Sequence, residues 1–203
     1  MKIIRNGPYN TFILFIRWIA VLSTASVTLM SKIFEIKATI VGSFPPIFRD
    51  IKLNADTNLQ IVHEIMQAVF NWGNIHLHYF RNSANEIFKN EEQVILSGAL
   101  DRRQTIIYVY DYSDSWTIGL ELVNEVEQEQ RIRPTCTGGK RHSPPEDCGG
   151  LIGYEDALDL LLHHNNSSQR KFPLIAEWYG EDYDPEHFDI ISVNSRLANI
   201  VLR

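Results

Sequence analysis

Two histidines in one short apolar stretch are the first residues whose spacing could support chemistry. His76 and His78 lie two positions apart in residues 76–80, which read as a strand. A strand places both imidazoles on the same face, about 7 Å apart, where they can bind one metal ion if His63 of the preceding helix adds a third ligand. The alternative is that these histidines are polar residues of a partly solvated sheet face and make ordinary hydrogen bonds.

A pair of carboxylates lies at the junction of two later predicted strands. In residues 108–116, aromatic side chains surround Asp111 and Asp114. An Asp-Ser-Asp order favours a tight turn in which the side chains bond their own backbone. Alternatively, the carboxylates are hard oxygen ligands or a general acid and base, beside an aromatic surface of Tyr110 and Trp116 that suits a planar ligand or a nucleic-acid base. Both interpretations stay open.

Residues 136–150 form the most unusual stretch of the chain. Glycines permit positive φ angles, two prolines stiffen the middle, and one compact basic cluster can contact a partner. The basic residues are Lys140, Arg141 and His142. The residues that we expect to form a structural loop are Cys136, Pro144, Pro145, Glu146, Asp147, Cys148, Gly149 and Gly150.

This loop is expected to be ordered by hydrogen bonds rather than by a metal or a disulfide. Zinc held by Cys136, His142 and Cys148 would need a fourth ligand that is not evident, and a disulfide would need an exported chain. Glu146 and Asp147 can instead accept bonds from amides near the start of the next helix. Replacing Asp147 with Ala should therefore cost more stability than replacing both cysteines, taken as exposed thiols, with Ser.

The elements that would position these residues alternate between strands and helices. Residues 34–40 alternate apolar and polar side chains, which predicts a half-buried strand, and residues 59–70 show helical spacing after an N-cap at Asp56 or Thr57. Other strands are predicted at 47–53, 76–80, 93–96, 105–110 and 116–123, and other helices at 154–163, with Glu155 and Asp156 in the first turn, and from Asp184-Pro185 towards Leu197. We therefore expect one α+β domain, in which a mixed or antiparallel sheet packs against a few helices.

Composition restricts the classes of partner. The 203 residues are 44% hydrophobic and 22% charged, which is typical of a globular protein. The formal net charge of -6 disfavours broad, nonspecific binding to phosphate backbones, although local recognition of a nucleic acid stays open. Two cysteines are too few for a disulfide framework.

The first 29 residues are expected to lie outside the domain. The apolar run at 12–22 contains Arg17 and is shorter than a membrane-spanning helix, so a membrane association is not expected. Its basic start and small-residue end also resemble a secretory signal. Because the strand pattern begins directly after Met30, we interpret residues 1–29 as an extension, residues 30–203 as the domain, and the protein as cytoplasmic.

Several collinear motifs between residues 33 and 197 resemble the plasmid pRiA4b ORF-3-like protein family. They are Pro45-Pro46-Ile47-Phe48-Arg49, His63-Glu64-Ile65-Met66-Gln67, Phe70-Asn71-Trp72, His76-Leu77-His78-Tyr79-Phe80, Tyr110-Asp111-Tyr112-Ser113-Asp114-Ser115-Trp116, Pro144-Pro145-Glu146-Asp147-Cys148-Gly149-Gly150 with Gly153-Tyr154, Asp184-Pro185-Glu186-His187-Phe188-Asp189 and Asn194-Ser195-Arg196-Leu197. The resemblance implies an α+β domain and an association with plasmids and the passenger genes of insertion sequences. It implies no activity.

Three positions depart from what is usual in that family. Ser113 replaces a glycine of the turn, Ile118 replaces a histidine, and Ser143 replaces a cysteine before Pro-Pro-Glu-Asp. Each change removes a potential ligand or alters a turn, and the three together disfavour a metal-dependent mechanism for this chain.

Two functions follow as hypotheses, and whether the protein is an enzyme stays open. The first is a binding module that recognises a protein or nucleic-acid partner through residues 136–150 and the aromatic turn, with no cofactor required. Its binding residues would be Tyr110, Trp116, Lys140, Arg141 and His142. The second is a metal-dependent hydrolase or nuclease that uses His76, His78, Asp111 and Asp114, with Glu146 as base. The weaker metal candidates are His63, Cys136 and Cys148.

Overall fold

The alternating stretch after Met30 forms the central strand of the protein. The computed structural model describes residues 30–100, 105–162, 179 and 183–201. In it, β1 (Ser31–Ile40) directs Phe34, Ile36 and Ala38 to one buried face, as the period of two predicts. The prediction of this strand is confirmed.

The described residues form six strands and four helices. The strands are β1, β2 (Phe48–Asn54), β3 (His78–Arg81), β4 (Ile106–Tyr110), β5 (Trp116–Gln128) and β6 (Thr135–Lys140), and the helices are α1 (Leu59–Phe70), α2 (Leu96–Ala99), α3 (Gly150–Leu162) and α4 (Ile190–Leu197). The strands make one sheet in the order β3-β4-β5-β1-β2-β6, and every pairing is antiparallel. The protein is therefore a single α+β domain.

Helix α1 lies on the buried face of the sheet. Its N-cap is Asn58, not Asp56 or Thr57, and the Asn58 side chain accepts a hydrogen bond from the amide of Ile61. The helix ends at Asn71, which has a left-handed conformation with φ 57°. Its buried side chains include Leu59, Val62, Ile65, Met66, Val69 and Phe70, as the helical spacing predicts.

Strand β6 corrects the prediction that residues 136–150 form a loop throughout. Gly138 and Gly139 suggested a loop, but both pair with β2, where the register shifts between Asp50 and Ile51. A side chain at Gly139 would lie 2.8 Å from the carbonyl oxygen of Phe48, so glycine is required by close packing rather than by a turn. The irregular segment is shorter than expected and is here called the 141–149 segment.

Other predicted boundaries were also wrong. The strand predicted at 76–80 begins only at His78, so His76 precedes it, and the strand predicted at 116–123 extends to Gln128. Residues 93–96 do not form a strand, because the amides of Leu96 and Ser97 bond the carbonyls of Thr57 and Ala55 and begin helix α2. Helix α3 begins at Gly150, so the acidic pair at 155 and 156 lies beyond its first turn. Helix α4 begins only after Asp189, whose side chain accepts bonds from the amides of residues 191 and 192.

Candidate functional site

His63 belongs to a buried hydrogen-bond network rather than to a metal site. It is 1% exposed, its Nε2 lies 2.9 Å from Asn74 Oδ1, and its Nδ1 lies 2.8 Å from Tyr108 Oη. Gln67 donates to the same Tyr108 oxygen at 2.8 Å and accepts a bond from the Asn74 amide. The network is satisfied by a neutral ring that donates through Nε2 and accepts at Nδ1. Burial, with the nearby His78, lowers the pKa of His63 to about 4.

We expect this buried histidine to make the protein less stable in mild acid. Because the folded-state pKa of His63 is about 4 and an unfolded histidine has a pKa near 6.5, the unfolded chain binds more protons between these values. The contribution is complete above about pH 6.5, and about 2 kcal/mol of the unfolding free energy is lost between pH 7 and pH 5. Urea unfolding of the wild type and of His63→Gln at both pH values measures this loss.

The variant should lose about 2 kcal/mol less than the wild type over this range, whatever its stability at pH 7. His187→Gln, which changes an exposed histidine, is the matched control and should keep the wild-type pH dependence. An equal loss of stability in His63→Gln and the wild type would contradict the assignment.

His78 is engaged by its neighbours. Its ring stacks on His63 with centroids 3.5 Å apart and planes 5° from parallel. Its Nε2 lies 3.0 Å from a carboxylate oxygen of Glu91, a residue that the sequence did not single out. The sequence predicted that His76 and His78 bind one metal ion, but the structure does not bring these two side chains together at one site.

His76 instead lies beside two carboxylates from different parts of the chain. His76 Nε2 is 3.6 Å from Asp111 Oδ2 and 3.2 Å from Asp147 Oδ1. One ligand atom from each residue lies within 4.8 Å of the others, and among the described residues this is the one group of three that could hold a metal ion. The sequence had pointed to His76 and Asp111, but it assigned Asp147 to helix capping.

Asp111 is held by the tight turn between β4 and β5 that the sequence predicted. Its Oδ1 accepts hydrogen bonds from the amides of Ser113, at 2.9 Å, and Asp114, at 3.4 Å, and from the Ser113 hydroxyl. Burial opposes ionisation of Asp111, but the bonds from Ser113 and Asp114 hold its pKa below the ordinary value. The carboxylate is therefore ionised, and its orientation is fixed through one oxygen.

The other candidate carboxylates hold the 141–149 segment in place. Asp114 Oδ2 accepts a bond from the amide of Gly149 at 3.0 Å, a role that had been expected of Glu146 or Asp147. Glu146 accepts bonds from the amide of Gly73, at 2.7 Å, and from Tyr110 Oη, at 2.5 Å. Both oxygens of Glu146 are occupied, so it is poorly placed to act as a base.

The expected contact surface on this side of the protein is mostly internal. Tyr110 and Trp116 are buried, so neither ring presents a face to a ligand. Arg141 is also buried, where it bonds Glu186 and the carbonyl of Pro45, whereas Lys140 is exposed. The predicted basic cluster is therefore divided between the interior and the surface.

Both cysteines are free and buried, which corrects the assumption of exposed thiols. Burial raises the pKa of Cys136 above its ordinary value and that of Cys148 to about 11. His142 Nδ1 lies 2.8 Å from the carbonyl oxygen of Ser143. Because the thiols are buried and Asp147 does not cap the helix, the expected ranking of Asp147→Ala above the double cysteine change has lost its basis.

A cleft beside α4 is lined by two arginines. Arg49 is 2% exposed and donates to the carbonyls of Val69, Phe48 and Lys140 and to the Ser143 hydroxyl. Desolvation lowers its pKa to about 10. Its register position, inward like Ile51 and Leu53 on β2, was the sequence signal that would have identified it.

Arg196 lines the same cleft from α4. Its Nε donates to the carbonyl of Ala68 at 2.8 Å and its Nη1 donates to the hydroxyl of Ser192. His142 and His187 add two more nitrogen-bearing side chains to the lining. The cleft has a volume of about 180 Å³, and an adjoining groove of about 330 Å³ shares Asn71, His142 and Ser143 with it.

The described elements define a single-domain α+β protein with one antiparallel sheet and polar clusters at the ends of β3 and β4. The chain belongs to the plasmid pRiA4b ORF-3-like protein family, which matches residues 32–192. It is 22% identical over 189 residues to the uncharacterized protein y4hQ of Sinorhizobium fredii (strain NBRC 101917 / NGR234), with 86% of this chain and 95% of the relative covered.

A similar fold occurs in the crystal structure of MM3350, a protein of unknown function from Methanosarcina mazei Go1. The TM-score is 0.72 at 29% sequence identity, with 79% of this chain and 97% of that chain covered. No helix in the described part of the chain is both long and apolar enough to cross a membrane.

Proposed function

We propose that this protein is a non-enzymatic binding module that recognises an anionic group of a partner protein in the cleft lined by Arg49 and Arg196. The observation that supports it is the pair of guanidinium groups on one cleft, whose hydrogen-bond partners in the described part of the chain are carbonyl and hydroxyl oxygens. Arg49 is a buried cation without a carboxylate partner among the described residues, which favours the binding of an anion.

Charge around the cleft agrees with this proposal. Asp189 is the one carboxylate among the described residues of the lining. Its Oδ1 caps α4 by accepting bonds from Ile191 and Ser192, and its charge partly offsets the desolvation that lowers the pKa of Arg196. The Arg49 guanidinium lies 4.7 Å from the centroid of the Phe188 ring, which shields one face of the cation from water. An anion in this cleft would gain attraction from both arginines.

The size of the cleft favours one small charged group over a polymer backbone. A volume of about 180 Å³ holds a phosphate or a carboxylate group, and the adjoining groove, lined in part by Pro144, Pro145 and Tyr183, offers apolar surface to the residues beside that group. The net charge of -6 repels nucleic-acid backbones, so a protein partner is the better fit. The same proposal includes a cytoplasmic setting. It also includes an association with mobile elements, which the family resemblance implies.

Removal of the more accessible arginine should weaken anion binding. Arg196→Gln is expected to raise the Kd for inorganic phosphate and acetate at least tenfold, because one of two cations is lost while the polar contacts of the side chain are partly kept. Isothermal titration of the full chain with each anion measures this change. The matched control is Arg133→Gln, since Arg133 donates to a carbonyl near the end of α4 but lies outside the cleft.

Three outcomes would overturn all or part of the proposal. The first is that neither anion binds the wild type at millimolar concentration. The second is that Arg196→Gln and Arg133→Gln bind equally well, which would place the anion elsewhere. A short single-stranded DNA that binds more tightly than an acidic peptide of equal charge would replace the protein partner with a nucleic acid.

The metal-dependent hydrolase has less support from the geometry. Three of the residues proposed for the hydrolase have other partners. His78 bonds Glu91, Asp114 bonds Gly149, and both oxygens of Glu146 accept hydrogen bonds. His76 and Asp111 are the two that the structure brings together.

A further inference from the structure

We propose that His76, Asp111 and Asp147 bind one first-row divalent transition-metal ion, such as Zn²⁺ or Mn²⁺. This site is separate from the arginine-lined cleft and does not depend on the function proposed for it. The ligand atoms would be His76 Nε2, Asp111 Oδ2 and Asp147 Oδ1.

The strongest observation is a buried oxygen without a hydrogen-bond partner. Asp111 is 2% exposed, and its Oδ2, which faces His76 Nε2, makes no hydrogen bond within the described residues. His76 Nε2 is likewise buried and without a hydrogen bond there. Buried polar atoms are almost always satisfied, because an unsatisfied carboxylate oxygen is costly in a low-dielectric environment. A cation between these two atoms would satisfy both.

Both distances fit ligands that share a metal, and only the shorter also fits a hydrogen bond. Oxygen and nitrogen ligands lie about 2.0 to 2.2 Å from zinc, so two ligands on one ion are about 2.8 to 3.6 Å apart, depending on the angle between them. His76 Nε2 is 3.2 Å from Asp147 Oδ1 and 3.6 Å from Asp111 Oδ2. The second distance is too long for a hydrogen bond.

The Asp111 carboxylate and the His76 ring are positioned before any ion binds, and the backbone beside Asp147 is anchored. Hydrogen bonds to Asp111 Oδ1 from the β4–β5 turn fix the carboxylate so that its Oδ2 faces the site. Tyr110 packs edge-on against the His76 ring, with centroids 5.7 Å apart. The bond between Asp114 and the Gly149 amide fixes the chain two residues after Asp147. A preorganised donor set binds a metal with less loss of conformational freedom.

The donor set also indicates the class of metal and the entry route. Imidazole nitrogen favours zinc and other first-row transition metals over Mg²⁺ and Ca²⁺, while two carboxylates also suit Mn²⁺. The side chain of Asp147 is 54% exposed, so an ion can reach the site from solvent. Three protein ligands leave at least one coordination position for water or for a group of a bound molecule.

Titration of the full chain with ZnCl₂ and MnCl₂, followed by calorimetry, tests the site. We expect one equivalent of metal to bind the wild type and Asp147→Asn to raise the Kd at least tenfold. Because Asp147 is largely exposed, this variant should keep the wild-type melting temperature without metal. His76→Gln should weaken binding by a similar factor. His78→Gln is the matched control, since His78 lies two residues away and bonds Glu91 instead.

The assignment would be overturned if neither Zn²⁺ nor Mn²⁺ binds the wild type at micromolar concentration. The assignment would also be overturned if Asp147→Asn and His76→Gln both bind metal with wild-type affinity. In that case, loss of binding in Cys136→Ser would place the metal at a thiol. A metal that binds with the expected variant pattern supports the site even if phosphate and acetate fail to bind the arginine-lined cleft.

Discussion

Replacing Arg49 with methionine is expected to lower the free energy of unfolding by about 3 to 5 kcal/mol. Methionine keeps much of the length and apolar contact of arginine, but it leaves the carbonyls of Val69, Phe48 and Lys140 and the Ser143 hydroxyl without the donors that Arg49 supplies. Relief of the desolvation that lowers the pKa of Arg49 offsets part of this loss. The loss outweighs that relief, because two of the four bonds are buried and two are partly buried, and each unsatisfied buried group costs about 1 to 3 kcal/mol.

Urea denaturation at pH 7 measures the change, and the melting temperature should fall by roughly 6 to 20 °C for a domain of this size. Arg49→Lys keeps the charge with fewer donors and should lie between the wild type and Arg49→Met. Arg133→Met removes an exposed arginine and should change stability by less than about 0.5 kcal/mol. A loss below about 1 kcal/mol for Arg49→Met would show that the four bonds contribute little.

Gly153→Ala is expected to cost about 2 to 4 kcal/mol, although alanine is the better helix former. A Cβ at residue 153 would lie 2.1 Å from the carbonyl oxygen of Cys148. Because this oxygen belongs to the backbone, the first turns of α3 must move away from the preceding turn to admit the methyl group. Thermal or urea unfolding measures the loss.

Gly98→Ala is the matched control, because a Cβ there meets no atom within 4 Å. The same substitution in helix α2 should be neutral or should stabilise the protein by up to about 1 kcal/mol. Gly153→Ala is therefore expected to destabilise the protein, whereas Gly98→Ala is not. Equal effects at the two positions would mean that the contact between Gly153 and Cys148 does not restrict α3.

Regular elements with clear periodicity could be predicted from the sequence. The alternation in β1 and the helical spacing in α1 each reflect one buried face, so local pattern and tertiary packing agree. Strand β6 could not be predicted, because Gly139 serves close packing against Phe48 and Phe188, and Gly138 close packing against Asp50, rather than a turn. Helix α2 was missed because backbone bonds to residues distant in sequence determine it.

The candidate site was predicted only in part for a similar reason. His76 and Asp111 are conspicuous residue types in predicted strands and turns, and the structure brings them together. Asp147 joins them through the path of the 141–149 segment, which depends on contacts from several elements. Arg49 resembles a surface residue by type, although its register with Ile51 and Leu53 indicates the interior. The spacing of side chains along one strand or helix can be predicted from the sequence. The convergence of side chains from separate elements cannot.

The many anchors of the 141–149 segment affect how the chain can change in length during evolution. Irregular surface segments are usually the places where insertions and deletions accumulate. Here the carbonyl of Pro144 accepts a bond from the Trp72 indole, Glu146 bonds Gly73 and Tyr110, and Gly149 bonds Asp114, all within six residues. One added residue would shift these partners out of register with one another. The length of this segment is therefore as constrained as that of a central strand, and variation in length is better tolerated elsewhere in the chain.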